Sequence, residues 1–170
     1  MVHKYSTQNY NKETMARVVG SSLPISTKFS VEICHFIRNK KLTQAKKMLQ
    51  CVVDRTRAVP FKIFNKDLSH KTKIGPGRFP KNAALKIIEL LESAESNAQF
   101  KGLNTSDLTI THICAHLASR PWRYGRQRRR KSKRTHIEII VEEKKSKEDK
   151  KQKEDKKQKE EKKNDRKKTG

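Results

Sequence analysis

The amino-acid sequence predicts an α+β fold: a small antiparallel sheet packed with three helices, a long protruding β-hairpin, and a charged C-terminal tail. Three observations carry this. Three segments place apolar residues at helical spacing. Two further segments alternate apolar and polar residues with period two, so that one face of each strand can be buried. Between those two, residues 116–134 hold nine Lys or Arg and no Asp or Glu.

The elements follow in chain order. Residues 1–20 are polar and poorly patterned, and a short strand over 18–25 ends at Pro24. Ser26 or Thr27 caps the first helix, whose face is Phe29, Ile33, Phe36 and Ile37. Asn39-Lys40-Lys41 interrupts the pattern. Leu42, Ala45, Leu49, Val52 and Val53 then line the second helix, and Pro60 stops anything helical there. Residues 62–79 read as a basic loop. The third helix starts near Pro80, a residue suited to a first turn. It carries the longest apolar stripe: Ala84, Ile87, Ile88, Leu91, Ala94 and Ala98. Gly102 closes it.

The hairpin comes next. Leu108, Ile110 and His112 share one strand face, with Thr109 and Thr111 between them. Ile137, Ile139 and Val141 share the other, with His136 and Glu138 interleaved. The basic stretch joining them is Arg120, Arg123, Arg126, Arg128, Arg129, Arg130, Lys131, Lys133 and Arg134. Nine cations without an acid cannot be buried against protein, and phosphate is the abundant partner that stabilises such a finger. With Ile113 and His136 at the body's edge and the apex at Tyr124–Gly125, each arm spans about eleven residues, roughly 36 Å if fully extended. Trp122 and Tyr124 sit within the finger and either stack on unpaired bases or pack against the arm itself. A nuclear localisation signal or a merely solvated loop is the plainer reading of the same charges.

Residues 1–143 form one domain on this reading, with the hairpin at about 113–136. Residues 144–170 differ in kind. KEDKKQ, KEDKKQ and KEEKKN repeat over 147–164 with no apolar residue. Without an apolar seam a coiled coil is out. A disordered extension, or a lone helix laced by Glu/Asp–Lys pairs, is expected.

Composition points to the same class of partner. The formal charge is +24 over 170 residues, which speaks to a polyanion, nucleic acid ahead of membrane. No apolar run approaches the roughly 20 residues of a spanning helix, and residues 1–10 lack a signal-peptide core. Cys34, Cys51 and Cys114 form no CxxC pair and suit reduced thiols in the cytosol. Ile74-Gly75-Pro76-Gly77-Arg78 lacks the Lys-Ser/Thr of a nucleotide-binding loop. His112, Cys114 and His116 alternate and can face one way, but closed zinc sites use wider spacings and a fourth ligand. They read as core and edge residues instead. No Ser/His/Asp, Cys/His or paired-carboxylate set stands out. No enzyme, cofactor, metal or small-molecule substrate is expected.

Specific strings then add to this. Gly77-Arg78-Phe79-Pro80-Lys81-Asn82-Ala83 opens the third helix, and residues 94–103, AESNAQFKGL, end it. With Met1-Val2, Val59-Pro60-Phe61, Leu108, Ile110, the arginine finger and Thr135-His136-Ile137-Glu138-Ile139, the chain closely resembles a ribosomal family over residues 1–143. It is the archaeal and eukaryotic branch of large-subunit protein twenty-two, known in eukaryotes as large-subunit protein seventeen. The resemblance implies a non-enzymatic constituent of the cytosolic large ribosomal subunit. Its partners would be large-subunit ribosomal RNA and neighbouring ribosomal proteins, with nuclear or nucleolar assembly in a eukaryote. It also implies a hairpin that threads through RNA toward the nascent-peptide exit tunnel. Trp122, Tyr124 and Gly125 would lie at or near the tunnel wall, within reach of the nascent peptide. Arg78 and Lys81 join the nine finger cations as RNA-binding residues. The finger between His112 and His136 is several residues shorter than usual in that branch, the basic insert over 65–75 is abbreviated, and the repeated tail has no counterpart. A free RNA chaperone or chromatin protein using the same finger is the rival reading.

Overall fold

A computed structural model of the chain describes residues 4–144. The expectations for the tail over 145–170 lie outside the described residues. Strand β1 (Met15–Leu23) is followed by helices α1 (Thr27–Ile37) and α2 (Leu42–Val53), then by short strands β2 (Val59–Pro60), β3 (His70–Lys71) and β4 (Gly75–Arg78). Helix α3 (Lys81–Phe100) leads to β5 (Leu108–Leu117) and β6 (Thr135–Glu143). The principal sheet is antiparallel with order β1-β6-β5, and the helices pack on one of its faces. The α+β class expected from the hydrophobic periods is the one observed.

The helical stripes end where the sequence places them. Ile33 and Ile37 of α1, Leu42, Ala45, Leu49 and Val52 of α2, and Ala84, Ile87, Leu91, Ala94 and Ala98 of α3 are fully buried. Burying a Leu or Ile side chain stabilises by about 1.5–3 kcal/mol. Inner-face residues of the sheet complete the core: Ala16, Ile110, Ile113, Ile137, Ile139 and Val141. Packing at Gly20 of β1 is close: a Cβ there would meet the side chains of Leu23 and of Leu90 in α3 at 2.8 Å. At the far end of α3, Gly102 has φ +73°, and the amides of Gly102 and Leu103 donate to the carbonyls of Gln99 and Ala98. These bonds satisfy carbonyls the helix end would otherwise leave open.

Several expectations need correction. Ser26 does occupy the N-cap of α1, but its hydroxyl makes no capping bond; Thr27 Oγ1 instead meets Thr135 Oγ1 at 2.8 Å. Pro80 is the N-cap of α3 rather than part of its first turn. The basic loop over 62–79 contains β3 and β4, which form with β2 a second antiparallel sheet, order β2-β4-β3. Its close approach depends on Gly77, where a Cβ would lie 3.0 Å from the Val59 carbonyl oxygen. In β5, a bulge at Thr111 shifts the register, so that Ile110 faces Val141 and His112 already faces Ile140. One extra residue sends the next side chain to the opposite face. Ile113, not His112, therefore continues the buried row of Leu108 and Ile110. Ile113 pairs with Ile139 inside the core, so the finger leaves the body beyond Leu117 rather than at residue 113.

Two buried carboxylates pin segments that have no regular structure. Glu32, on the apolar side of α1, is wholly buried. Its oxygens accept from the backbone amides of Lys62, Ile63 and Phe64 at 3.0, 2.9 and 2.8 Å. Glu138, interleaved with Ile137, Ile139 and Val141 in β6, is 2% exposed and accepts from the amide and hydroxyl of Ser6, each at 2.9 Å. The N-terminal segment thus covers the outer face of the sheet, where Tyr5 and Tyr10 flank the Arg17 guanidinium at 4.8 and 4.7 Å. Among the described residues, no helix is long and apolar enough to cross a membrane.

The Glu32 clamp gives a direct test. Truncation to alanine leaves three amides without their acceptor and a void in place of a carboxylate. Glu32→Ala should lower unfolding stability by about 2–4 kcal/mol, measured by denaturant titration. Glu32→Gln, which keeps a carbonyl acceptor, should lose less.

Candidate nucleic-acid interface

The finger is a continuation of two core strands. β5 and β6 pair to Leu117↔Thr135, and the Ala118 amide donates to the Arg134 carbonyl at 3.2 Å. Its root is fixed by three side-chain bonds. Thr135 Oγ1 donates to the Ile25 carbonyl at 3.0 Å, Arg134 donates to the Ser22 carbonyl at 2.9 Å, and the Ser22 amide donates to His136 Nδ1 at 3.1 Å. Pro121 has no amide to give, and regular pairing lapses around it. The ladder resumes as an isolated bridge, Trp122↔Lys131, with the Arg123 amide on the Arg130 carbonyl at 2.9 Å.

The turn itself begins at Gly125, whose φ of +67° is one that L side chains rarely adopt. A 3₁₀ turn over Gly125–Gln127 follows, closed by the Arg128 amide on the Gly125 carbonyl at 3.1 Å. The pairing of Trp122 with Lys131 centres the apex on Arg126–Gln127, two residues beyond the sequence midpoint at Tyr124–Gly125. The extra residue lies in the first arm, where three residues between Ala118 and Trp122 oppose two between Lys131 and Arg134.

Every residue over 119–131 is exposed. Arg126, Arg128, Arg129 and Arg130 rim an open cup of about 480 Å³ at the tip. Arg123 donates to Gln127 Oε1 at 2.8 Å, which stiffens the turn. Among the described residues, no finger cation lies within ion-pair distance of a carboxylate. The two aromatics part company. Trp122 packs against the arm, with the Lys131 ammonium 4.4 Å from its ring centre, while Tyr124 is 93% exposed. At the root, Lys81 and Lys133 meet in one groove of about 340 Å³ floored by Phe29, Phe79 and Pro80. Arg78 lies beside it, its guanidinium 5.7 Å from the Phe29 ring centre. The fold thus gathers Arg78 and Lys81, distant in sequence from the finger, to the finger's base. Arg120 is exposed on the first arm.

His112 and His116 do face one way, as the alternation suggests. Their Nε2 atoms lie 3.7 and 3.5 Å from the Glu138 carboxylate, and His112 Nε2 is 3.0 Å from Ser6 Oγ. The cluster secures the N-terminal segment to the sheet. Cys34 is buried in α1, and burial pushes its thiol up to about 12, so it is an inert core residue. Sequence reasoning missed a second basic concavity, formed by the end of α1, the start of α2 and β2. No motif marks it, because its cations come from three separate segments.

An α+β body that projects an acid-free basic finger defines a structural nucleic-acid-binding protein. Residues 18–142 match the family described as Ribosomal protein L22p/L17e, and the chain belongs to that family. It is similar to the large ribosomal subunit protein uL22 of Nanoarchaeum equitans, at 44% identity over 78% of this chain and 81% of that one. The corresponding protein of Methanosphaera stadtmanae is 39% identical over 82% and 96%. That of Methanopyrus kandleri is 40% identical over 81% and 92%. The resemblance drawn from the strings around the third helix is borne out.

Two expectations follow from this geometry. Nothing lies within 4 Å of a Cβ at Gly125, so a side chain there meets only backbone strain. Gly125→Val should distort the tip and speed tryptic cleavage over 123–130 while leaving the melting temperature within about 1 °C, since the finger adds nothing to the core. Native protein treated with iodoacetamide at about pH 8 should leave Cys34 unmodified, because the thiolate is the reactive form; peptide mass mapping reads this directly.

Proposed function

We propose that this chain is a structural constituent of the large ribosomal subunit that binds large-subunit ribosomal RNA through its finger. The observation that carries the reading is the continuous exposed run over 119–131, which holds seven of the nine finger cations and no acid. The family's relatives are named as large-subunit ribosomal proteins, and their role is structural rather than enzymatic. The location that follows is the ribosome in the cytoplasm, with passage through a nucleolus if the source is eukaryotic.

Arg120, Arg123, Arg126, Arg128, Arg129, Arg130, Lys131 and Lys133 neutralise phosphates along the finger, and Arg78 and Lys81 extend this surface across the root. Arg134 is half-exposed and holds the Ser22 carbonyl, so its contribution is to root geometry as well as charge. Phosphate contacts position a protein without reading sequence. Shape complementarity between a stiff finger and folded RNA then supplies selectivity. The tip, with Gly125 turning the chain and Tyr124 free to stack, reaches toward the nascent-peptide exit tunnel. Neighbouring ribosomal proteins flank the body, and the nascent peptide passes the tip.

Charge reversal tests this. Arg128→Glu, Arg129→Glu and Arg130→Glu together should sharply weaken binding to large-subunit ribosomal RNA at low salt. The deficit should shrink as salt rises, because screening removes the same interaction from both proteins. Thermal unfolding should be unchanged, since none of the three touches the core. Unchanged affinity at low salt would eliminate the finger as the RNA-binding element. Wild-type protein should also co-sediment with large subunits at one copy each. RNA binding without such co-sedimentation would favour a free RNA chaperone.

A further inference from the structure

We infer a second RNA-binding site on the body, at the opposite end of the sheet from the finger, that takes an unpaired nucleotide with its phosphate. The inference rests on the protein being an RNA binder and adds a site that the finger does not contain. A concavity of about 420 Å³ opens between the end of α1, the start of α2 and β2. Arg38, Lys40, Arg57 and Lys62 line it, together with His35. A single carboxylate, Glu32, shares the wall, and the three backbone amides already described occupy its oxygens. Arg38 is held by a 3.0 Å bond to the Ile113 carbonyl, but Lys40, Arg57 and Lys62 are exposed. Among the described residues none of those three lies within ion-pair distance of an acid. The concavity therefore attracts an anion.

Its shape favours a nucleotide over a bare ion. The Arg57 guanidinium lies 5.2 Å from the Phe36 ring centre. Lying over that ring, the exposed Arg57 guanidinium can present its other side to a base, and arginine planes are a recognised partner of unpaired RNA bases. The Gln44 side chain, in the same wall, can supply an amide to a base edge. Lys40 and Lys62 stand within the same concavity as phosphate partners.

The location matters for function. α1 starts beside the finger root, where Thr27 meets Thr135. It ends at the other extreme of β5, where the Asn39 amide donates to the Ile110 carbonyl and the Ile110 amide donates to the Lys40 carbonyl, each at 3.0 Å. Seven residues of strand separate Ile110 from Leu117, roughly 23 Å of rise. Finger and concavity thus engage separate stretches of RNA across a rigid body.

The test uses full-length protein and a single-stranded RNA of about twelve nucleotides carrying 4-thiouridine, within the usual site size for such binders. Photo-crosslinked peptides are mapped for wild type, for Lys40→Gln/Arg57→Gln/Lys62→Gln, and for Arg128→Gln/Arg129→Gln/Arg130→Gln. Crosslinks at residues 36–44 or 57–62 are expected in wild type and in the finger variant, and should be lost in the concavity variant. Loss of three single-strand contacts should flatten the salt dependence of binding, log K against log salt, by about 2. Affinity near 0.1 M salt should fall roughly tenfold or more. Wild-type crosslinks confined to the finger, or a concavity variant with unaltered slope, would overturn the site while leaving the finger intact. Loss of RNA binding by neither variant would count against RNA binding by either surface. Displacement of the body crosslinks by a polyglutamate peptide at lower concentration than by RNA would reassign the concavity to an acidic protein partner. Melting curves check folding, and Lys40→Glu alone, at an exposed position, provides a second variant should the triple substitution unfold.

Discussion

Mutual repulsion among the finger cations is the condition the rest of the structure has to meet. Each pair at roughly 7 Å in water costs about 0.6 kcal/mol, and residues 120–134 bring nine such charges together with no acid to offset them. Left to itself the segment would spread into an ensemble. It is held as a finger because its two arms continue β5 and β6, which lie in the core at Ile110, Ile113, Ile139 and Val141. The core therefore acts on function through geometry. Burial of apolar surface on one side of the sheet fixes where the charges stand outside it. The root bonds from Thr135, Arg134 and Ser22 carry that restraint across the boundary.

The same economy of acids explains the two buried carboxylates. In a strongly basic chain an exposed Glu would be drawn to any nearby Lys or Arg and would weaken a phosphate-binding surface. Glu32 and Glu138 are buried instead, each holding backbone or hydroxyl donors of a segment that lacks regular structure. Glu32 holds the start of the loop that joins β2 to β3. Glu138, with His112 and His116 beside it, fastens the N-terminal segment over the outer sheet face. Hydrogen bonds to an ionised acceptor are stronger than neutral ones, which suits them to segments with little apolar surface of their own. Less buried carboxylates remain on α3, where Glu95 pairs with Lys46 of α2 and Glu89 with Lys86, and in the Lys41–Asp107 pair.

Much of this was legible in the sequence, for physical reasons that also mark its limits. Helix faces read correctly because a buried stripe such as Ile87, Leu91, Ala94 and Ala98 must repeat with the helical period. The finger read correctly because nine cations without an acid have few places to go. The bulge at Thr111 did not show. A one-residue register shift changes which side chains face inward without changing composition, so Ile113 and His112 exchanged roles. The β2-β4-β3 sheet was invisible for a different reason. Its strands are two to four residues long, and β4 is Gly-Pro-Gly-Arg; they are held by backbone bonds and close approach, which leave no side-chain period. The apex moved two residues mainly because Leu108 pairs with Glu143 rather than Val141; the Thr111 bulge and the extra residue beside Pro121 supply the rest. Glu32 had a faint signal: three residues after Phe29 and four before Phe36, it lies on the buried side of its own helix.

Recognition by such a molecule has to come from arrangement. Lys and Arg contacts to phosphate carry no base information, and a dozen of them would bind any folded RNA if they were free to rearrange. What limits the choice is that they are not free. The finger's direction is set by β5 and β6, and the Lys81–Lys133 groove by the meeting of α1, α3 and the hairpin root. The tip's cup is set by Gly125 and the bond from Arg123 to Gln127. An RNA that offers phosphates in that spatial order gains every contact at once. One that does not must bend or forgo some of them, and each forgone contact also lowers the dependence of binding on salt. Specificity then resides in the stiffness of the protein, and stiffness resides in the core. Substitutions that loosen the sheet should degrade selectivity among RNAs before they degrade affinity for RNA in general, because the charges survive while their relative placement does not.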